Sequence, residues 1–159
     1  SRGLGDVYKR QVTADAAAIT PGNFSGNPRD IAVDAAFVVA EIGNSRTRLI
    51  DARSPDRFRG ENETLDPVGG HIPGATNRFF QSNLGGDGCF KPAAVLKQEF
   101  TAMLGDATPA QVVHQCGSGV TACHNLLAME VAGLAGSRLF PGSWSEWCSD
   151  PQRPVARGT

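Results

Sequence analysis

Hydrophobic residues along the chain fall into short runs, broken by glycine, proline and hydroxyl residues, and the spacing within each run separates strands from helices. Arg48-Leu49-Ile50-Asp51-Ala52, Val112 to Gln115 and Arg138-Leu139-Phe140 are compact apolar stretches of strand length. Another short strand follows the turn His71-Ile72-Pro73-Gly74 and runs toward Asn77. Arg29 to Val33 reads as a short strand or arm. Between these lie helical patterns. One runs from Asp34, an N-cap candidate, to Ile42, and is closed by Gly43-Asn44. Ser54-Pro55 starts a brief turn through Phe58. Pro92 to Leu104 has apolar residues at 92, 95, 96, 100, 103 and 104, the period of an amphipathic helix. Val120, Cys123, Leu126, Leu127 and Val131 repeat in the same way, and Gly133 stops them. Ser143 is a cap candidate for a last short helix carrying Trp144 and Trp147.

Strands alternating with helices predict an α/β fold, a central parallel sheet with helices on both faces. In such sheets ligands bind at the carboxyl ends of strands, and both Asp51 and Cys116 end strands.

The chain has 159 residues, enough for one domain with a proper core and too few for two of ordinary size. It is 40% hydrophobic and 19% charged with a net charge of −1, a balance that speaks against nucleic acid, a membrane surface or a disordered tail as its business. The longest apolar run, Ile31 to Ala40, is interrupted by Asp34 and falls far short of a bilayer span. A soluble protein is expected. Cys89, Cys116, Cys123 and Cys148 include no C-x-x-C pair, so neither a metal site nor a dithiol motif is expected. Residues 1–11 read as a non-native or unstructured lead, 12–28 as a linker rich in Pro, Gly and Asn, 29–150 as the working domain and 151–159 as an irregular tail.

Candidate chemistry concentrates in Cys116-Gly117-Ser118-Gly119-Val120-Thr121. A cysteine at a strand end is followed by a tight turn and a helix start, where backbone N–H groups have no intrahelical partner and converge on whatever the loop encloses. Such a cradle favours an anion, and thiolate is the nucleophilic form of cysteine. Gly117 and Gly119 lack Cβ atoms that would obstruct it, while Ser118 and Thr121 place hydroxyls at its rim. The bland reading of Cys116 is an inert core thiol before a turn. His114 shares a face with Cys116 but lies within the strand, which makes it core rather than general base. His124 is expected to be solvated, and the two tryptophans to be core or lid.

Four stretches together resemble the landmarks of the rhodanese superfamily: Leu49-Ile50-Asp51-Ala52-Arg53, Gly70-His71-Ile72-Pro73-Gly74-Ala75, Cys116 to Ala122, and Gly142-Ser143-Trp144-Ser145-Glu146-Trp147. They occur in the family's order, and the loop is similar to that of 3-mercaptopyruvate sulfurtransferases; thiosulfate enzymes typically carry basic residues at its second and third positions. The resemblance is to the catalytic carboxyl-terminal domain of two-domain members, so it implies an amino-terminal rhodanese domain as partner. It implies a sulfurtransferase without cofactor; a reducing compartment suits a working thiolate, so the cytoplasm is expected. Sulfur would pass from 3-mercaptopyruvate, or thiosulfate, through a persulfide on Cys116 to a thiol, cyanide or a thioredoxin-like reductant. Gly117, Ser118, Gly119, Val120 and Thr121 would hold the persulfide's charge. The family's donor-binding arginine carries over onto Arg57, with Arg59 the next candidate; a rigid guanidinium fork pairs two oxygens at once. Asp51 and His71 are expected to be structural supports. Mercaptopyruvate enzymes of animal type carry a second arginine before the Gly-His-Ile-Pro-Gly stretch, whereas residues 61–67 here contain none.

Two other thiol or hydroxyl chemistries fit poorly. A cysteine phosphatase needs an arginine six residues after its cysteine, and position 122 is Ala122. A serine-hydrolase elbow fails because Cys116 stands two before Ser118. The alternatives that stay open are a rhodanese-like binding or regulatory module, and a domain inactive without its amino-terminal partner.

Overall fold

The computed structural model describes residues 22–159; the expectations for residues 1–11, and for the linker up to residue 21, lie outside them. In chain order the elements are α1 (Ala35–Glu41), β1 (Arg48–Asp51), α2 (Pro55–Arg59), β2 (Thr76–Asn77), α3 (Ala93–Leu104), β3 (Val112–Gln115), α4 (Val120–Val131), β4 (Arg138–Leu139) and α5 (Ser143–Ser149). The four strands form a parallel sheet in the order β2-β1-β3-β4, so β3 lies in the interior, pairing Leu49 with Val113 on one side and Leu139 with His114 on the other. The Arg29–Val33 arm adds one parallel bridge, Ala32 to Leu139, at the outer edge.

Side chains on adjacent strand positions point to opposite faces, and each face has its own core. Leu49 and Val113 face α1 and α5, packing with Val38, Ile72, Phe140, Trp144 and Trp147. Ile50 and Val112 face α3 and α4, packing with Leu96, Phe100, Leu104, Ala128 and Met129. Parallel strands covered on both sides are buried on both faces, which is why Leu49-Ile50 in β1 and Val112-Val113 in β3 read as apolar pairs without alternation.

Local capping follows the sequence in most places. Asp34 accepts a hydrogen bond from the Phe37 N–H at the start of α1 (2.8 Å), and Gly60 ends α2 with φ +80°. Three expectations need correction. Ser143 does not cap α5: it is the helix's first residue, makes no cap bond, and has φ +53°, unusual for a residue with a side chain. The apolar repeat of α4 marks the wrong face. Val120 (72% exposed), Leu127 (51%) and Val131 (41%) point to solvent with Cys123, while Ala122, Asn125, Ala128 and Met129 are the buried positions. Small residues let α4 sit close to the sheet, and Asn125 is accommodated by hydrogen bonds with Asn83 and the Arg78 carbonyl. Third, His124 is not simply solvated but packs edge-on to Phe80 and tilted against Phe90.

The tail after Ser149 is irregular and docked. The Trp147 indole donates to the Pro154 carbonyl (2.9 Å), and Ala156 and His71 exchange both backbone hydrogen bonds. Among the described residues no helix is long and apolar enough to cross a membrane.

Candidate active site

Cys116 sits at the carboxyl end of interior strand β3, 2% exposed, between Ala52 and Ala122. From there the chain turns through Gly117, Ser118 and Gly119 into α4. Gly119 has φ +83°, and a Cβ there would lie 2.5 Å from the Pro141 carbonyl oxygen, so this turn requires glycine. The loop is fastened from behind by the start of α5. The Cys116 N–H donates to Ser143 Oγ (3.1 Å), whose hydroxyl donates to the Phe140 carbonyl (2.9 Å). The Cys116 and Gly117 carbonyls accept from the N–H groups of Trp144 (3.0 Å) and Ser145 (2.9 Å). With both carbonyls engaged behind the loop, the N–H groups of Gly117, Ser118, Gly119, Val120 and Thr121 make no hydrogen bond among the described residues. They lie at the positive end of a twelve-residue helix.

The loop floors a cavity of about 540 Å³, lined by Cys116, Gly117, Ser118, Val120 and Thr121 from the loop and helix start. Opposite lie Arg57, Leu65, Asp66, Phe79 and Phe80. A smaller cavity of about 210 Å³, between α1 and Pro73-Gly74, contains none of the predicted site residues. Ser118 is exposed and Thr121 half-buried, and neither hydroxyl bonds another described residue; both are available to a ligand rather than spent on the loop.

Of the two candidate arginines, the fold brings one to the loop. A Cβ on Gly117 would lie 3.6 Å from both Arg57 Nη1 and Nη2, so the guanidinium stands over the turn. Arg57 is itself held. Glu63 accepts from its Nε (3.1 Å) and Nη2 (2.8 and 2.9 Å), and Asp66 accepts from Nη2 at 3.4 Å. Burial works to raise the Glu63 carboxyl. The hydrogen bonds from Arg57 and from the N–H groups of Leu65 and Asp66 outweigh it and keep Glu63 below the ordinary carboxylate range. Arg59 does not reach the cavity; it pairs with the exposed Glu61 (2.7 Å).

Asp51 and His71 both serve as supports. Asp51 is fully buried and takes the Arg53 guanidinium, with Nη2 at 2.7 Å and Nε at 3.1 and 3.2 Å. Arg53 also donates to the Gly70 carbonyl (2.7 Å) and to Glu63 (3.4 Å), and it lies 4.7 Å above the Trp144 ring. One chain of ionic contacts thus runs from Asp51 through Arg53 and Glu63 to Arg57 at the cavity wall. His71 stacks on Phe58 (3.8 Å between ring centres) and its Nδ1 bonds the Phe58 carbonyl, which fixes α2 beneath Arg57. His114 is core: it is fully buried, Nε2 lies 3.2 Å from Met129 Sδ, and burial, with a lesser push from Arg78, lowers its pKa to about 3. Trp144 and Trp147 are core as well, both fully buried.

Sequence reasoning missed Glu63, Asp66 and the working role of Ser143. Glu63 and Asp66 lie in what reads as a polar acidic connection, where several carboxylates look interchangeable. A signal was present, since an acidic pair six and nine residues beyond a candidate anion-binding arginine is placed to hold it.

The rhodanese-like domain family matches residues 34–150. A probable 3-mercaptopyruvate sulfurtransferase of Pseudomonas aeruginosa is 49% identical over 148 residues, 92% of this chain and 52% of the relative. A putative thiosulfate sulfurtransferase, SseB, of Mycobacterium tuberculosis is 47% identical over 122 residues, 75% of this chain and 41% of that one. Among solved structures, the Tum1 protein from Saccharomyces cerevisiae superimposes with a TM-score of 0.67 at 26% identity, covering 79% of this chain and 46% of Tum1. The chain therefore spans about half the length, or less, of the relatives it matches. The matched span contains all four sequence landmarks, the parallel sheet and the cysteine loop, and on these grounds the chain belongs to the rhodanese-like family.

Proposed function

We propose that this domain carries out sulfur transfer, with 3-mercaptopyruvate preferred over thiosulfate as donor and Cys116 as the carrier. The observation that supports it best is the placement of Cys116 and its loop on the cavity floor, with the N–H groups of Gly117 to Thr121 unbonded among the described residues. The Cys116 thiolate attacks the donor's sulfur. An S–S bond forms and the donor's C–S bond breaks; its electron pair stays on carbon as the enolate, which takes a proton and leaves as pyruvate. With thiosulfate the S–S bond breaks and sulfite departs. The outer sulfur of the resulting persulfide bears the negative charge, and the loop amides face it as preorganised donors that need no rearrangement during the reaction. An acceptor thiol, cyanide or a thioredoxin-like reductant then takes that sulfur and returns Cys116. Arg57 binds the donor's carboxylate, while Ser118 and Thr121 supply rim hydroxyls. The neutral Gly117-Ser118 pair supports mercaptopyruvate as the donor, in keeping with the name of the Pseudomonas relative. In a protein of the relatives' length, the amino-terminal rhodanese domain would complete the cleft.

Intact-mass analysis after incubation with each donor tests the reading. A gain of about 32 Da, one sulfur atom, is expected on the wild type and not on Cys116→Ser. Absence of the adduct with both donors, in this chain and in a protein of the relatives' length, overturns it.

A further inference from the structure

Arg57 offers an incoming anion less than a free arginine does. Its Nε–Nη2 edge is filled by Glu63, and Nη2 is shared again with Asp66, so Nη1 is its one nitrogen with no partner among the described residues. The edge that could still grip two oxygens is Nη1–Nη2, and Asp66 competes for its Nη2 end from the cavity wall. Charge points the same way. Arg53, the other cation lining the cavity, is 1% exposed and saturated by Asp51, Glu63 and the Gly70 carbonyl. Across Asp51, Arg53, Arg57, Glu63 and Asp66, two positive groups face three negative ones. The wall therefore carries no surplus positive charge with which to receive a dianion.

From this arrangement we infer that Asp66 is a specificity-determining residue, setting the cleft's preference for a singly charged donor over a doubly charged one by contesting the free edge of Arg57. A monoanionic 2-oxo acid needs one carboxylate contact and tolerates Asp66 nearby. Thiosulfate brings a second negative charge into the same wall, and each added charge meets the Asp66 carboxylate at short range in a partly desolvated cleft. Glu63 acts differently, holding the opposite edge of Arg57 and, with Arg53, fixing where the guanidinium stands. The inference rests on the sulfurtransferase reading for its kinetic consequence but not for its anion-binding consequence.

The test uses Asp66→Asn, which keeps shape and removes charge, with Asp66→Ser as a second variant and urea unfolding as the check on folding. Protection of Cys116 against alkylation by neutral iodoacetamide reports binding without turnover, with sulfate as the dianion probe and pyruvate as the monoanion probe. Both variants should bind sulfate about tenfold more tightly while pyruvate binding changes by less than about threefold. The ratio of kcat/KM for thiosulfate to that for mercaptopyruvate should rise by a similar factor. Equal shifts for the two probe anions, or no shift, in a variant with the wild-type urea midpoint overturn the inference. If neither donor yields a persulfide on any protein while the anion ratio still moves, Asp66 keeps its role and the sulfurtransferase reading fails.

Discussion

Breaking the Asp51–Arg53 pair should destabilise the domain more than any surface ion pair could, and replacing both partners should recover much of the loss. Asp51 is 0% exposed, and among the described residues its carboxylate is satisfied, apart from the Arg53 backbone N–H (2.9 Å), by the Arg53 guanidinium alone. Arg53→Met removes three side-chain bonds to Asp51 together with the bond to the Gly70 carbonyl, and strands a buried charge. Such losses cost about 3–5 kcal/mol, a large part of the roughly 5–15 kcal/mol by which a domain of this size is stable. With a urea m-value near 2 kcal/mol/M, the midpoint should fall by about 1.5–2.5 M. The double variant Asp51→Asn with Arg53→Met no longer buries an unpaired charge, so its midpoint should lie closer to wild type than the sum of the singles, with a coupling of about 2 kcal/mol or more. Urea unfolding followed by tryptophan fluorescence suits the measurement, because Arg53 lies against Trp144. Strictly additive single and double variants, or a single Arg53→Met costing under about 1 kcal/mol, would refute the claim that this pair is a desolvated unit.

Two further outcomes follow from the loop and the strand that carries it. Gly119→Ala puts a Cβ 2.5 Å from the Pro141 oxygen at φ +83°, so the turn must shift; it should lose about 2–4 kcal/mol of stability and on the order of 10²-fold in kcat/KM, and wild-type values for both would contradict the geometry. His114, with its pKa lowered to about 3, stays neutral in the fold while the unfolded chain takes up a proton below about pH 6.5. Its contribution to stability is therefore present at neutral pH and lost as the pH falls toward 3. Between pH 7 and pH 5 the loss should be about 2 kcal/mol, and urea midpoints at the two pH values should show a flatter dependence in His114→Leu; an unchanged slope would rule His114 out as its source.

The parallel sheet, the central position of the cysteine strand and the glycine turn that follows it were all legible in the sequence, because strand runs and glycine turns are local signals. The face of α4 was not. Periodicity counts apolar residues, but close packing of a helix on a sheet selected Ala122, Ala128 and Ala132, while Asn125 was made tolerable by partners 42 and 47 residues away. The same limit hid Ser143, since a serine before tryptophan at a helix start looks like a cap and only the fold brings Cys116 to its hydroxyl. Arg57 and Arg59 are equivalent on paper. What separates them is that Glu63 folds back over α2 to one of them, and Glu61 takes the other outward.

The bonds that lock the cysteine loop to α5 also set an order of events in time. Cys116 and Gly117 are tied to Ser143, Trp144 and Ser145, so every one of these ties spans 27 or 28 residues of chain. Closing that span carries an entropic cost that must be met before the ties form. During synthesis β3 can pair with β1, which precedes it, but the cysteine loop leaves the ribosome before Ser143, Trp144 and Ser145, and until α5 docks these ties are missing. The surroundings of Cys116 are thus completed only with the last helix of the domain, and a nascent or frayed chain lacks them.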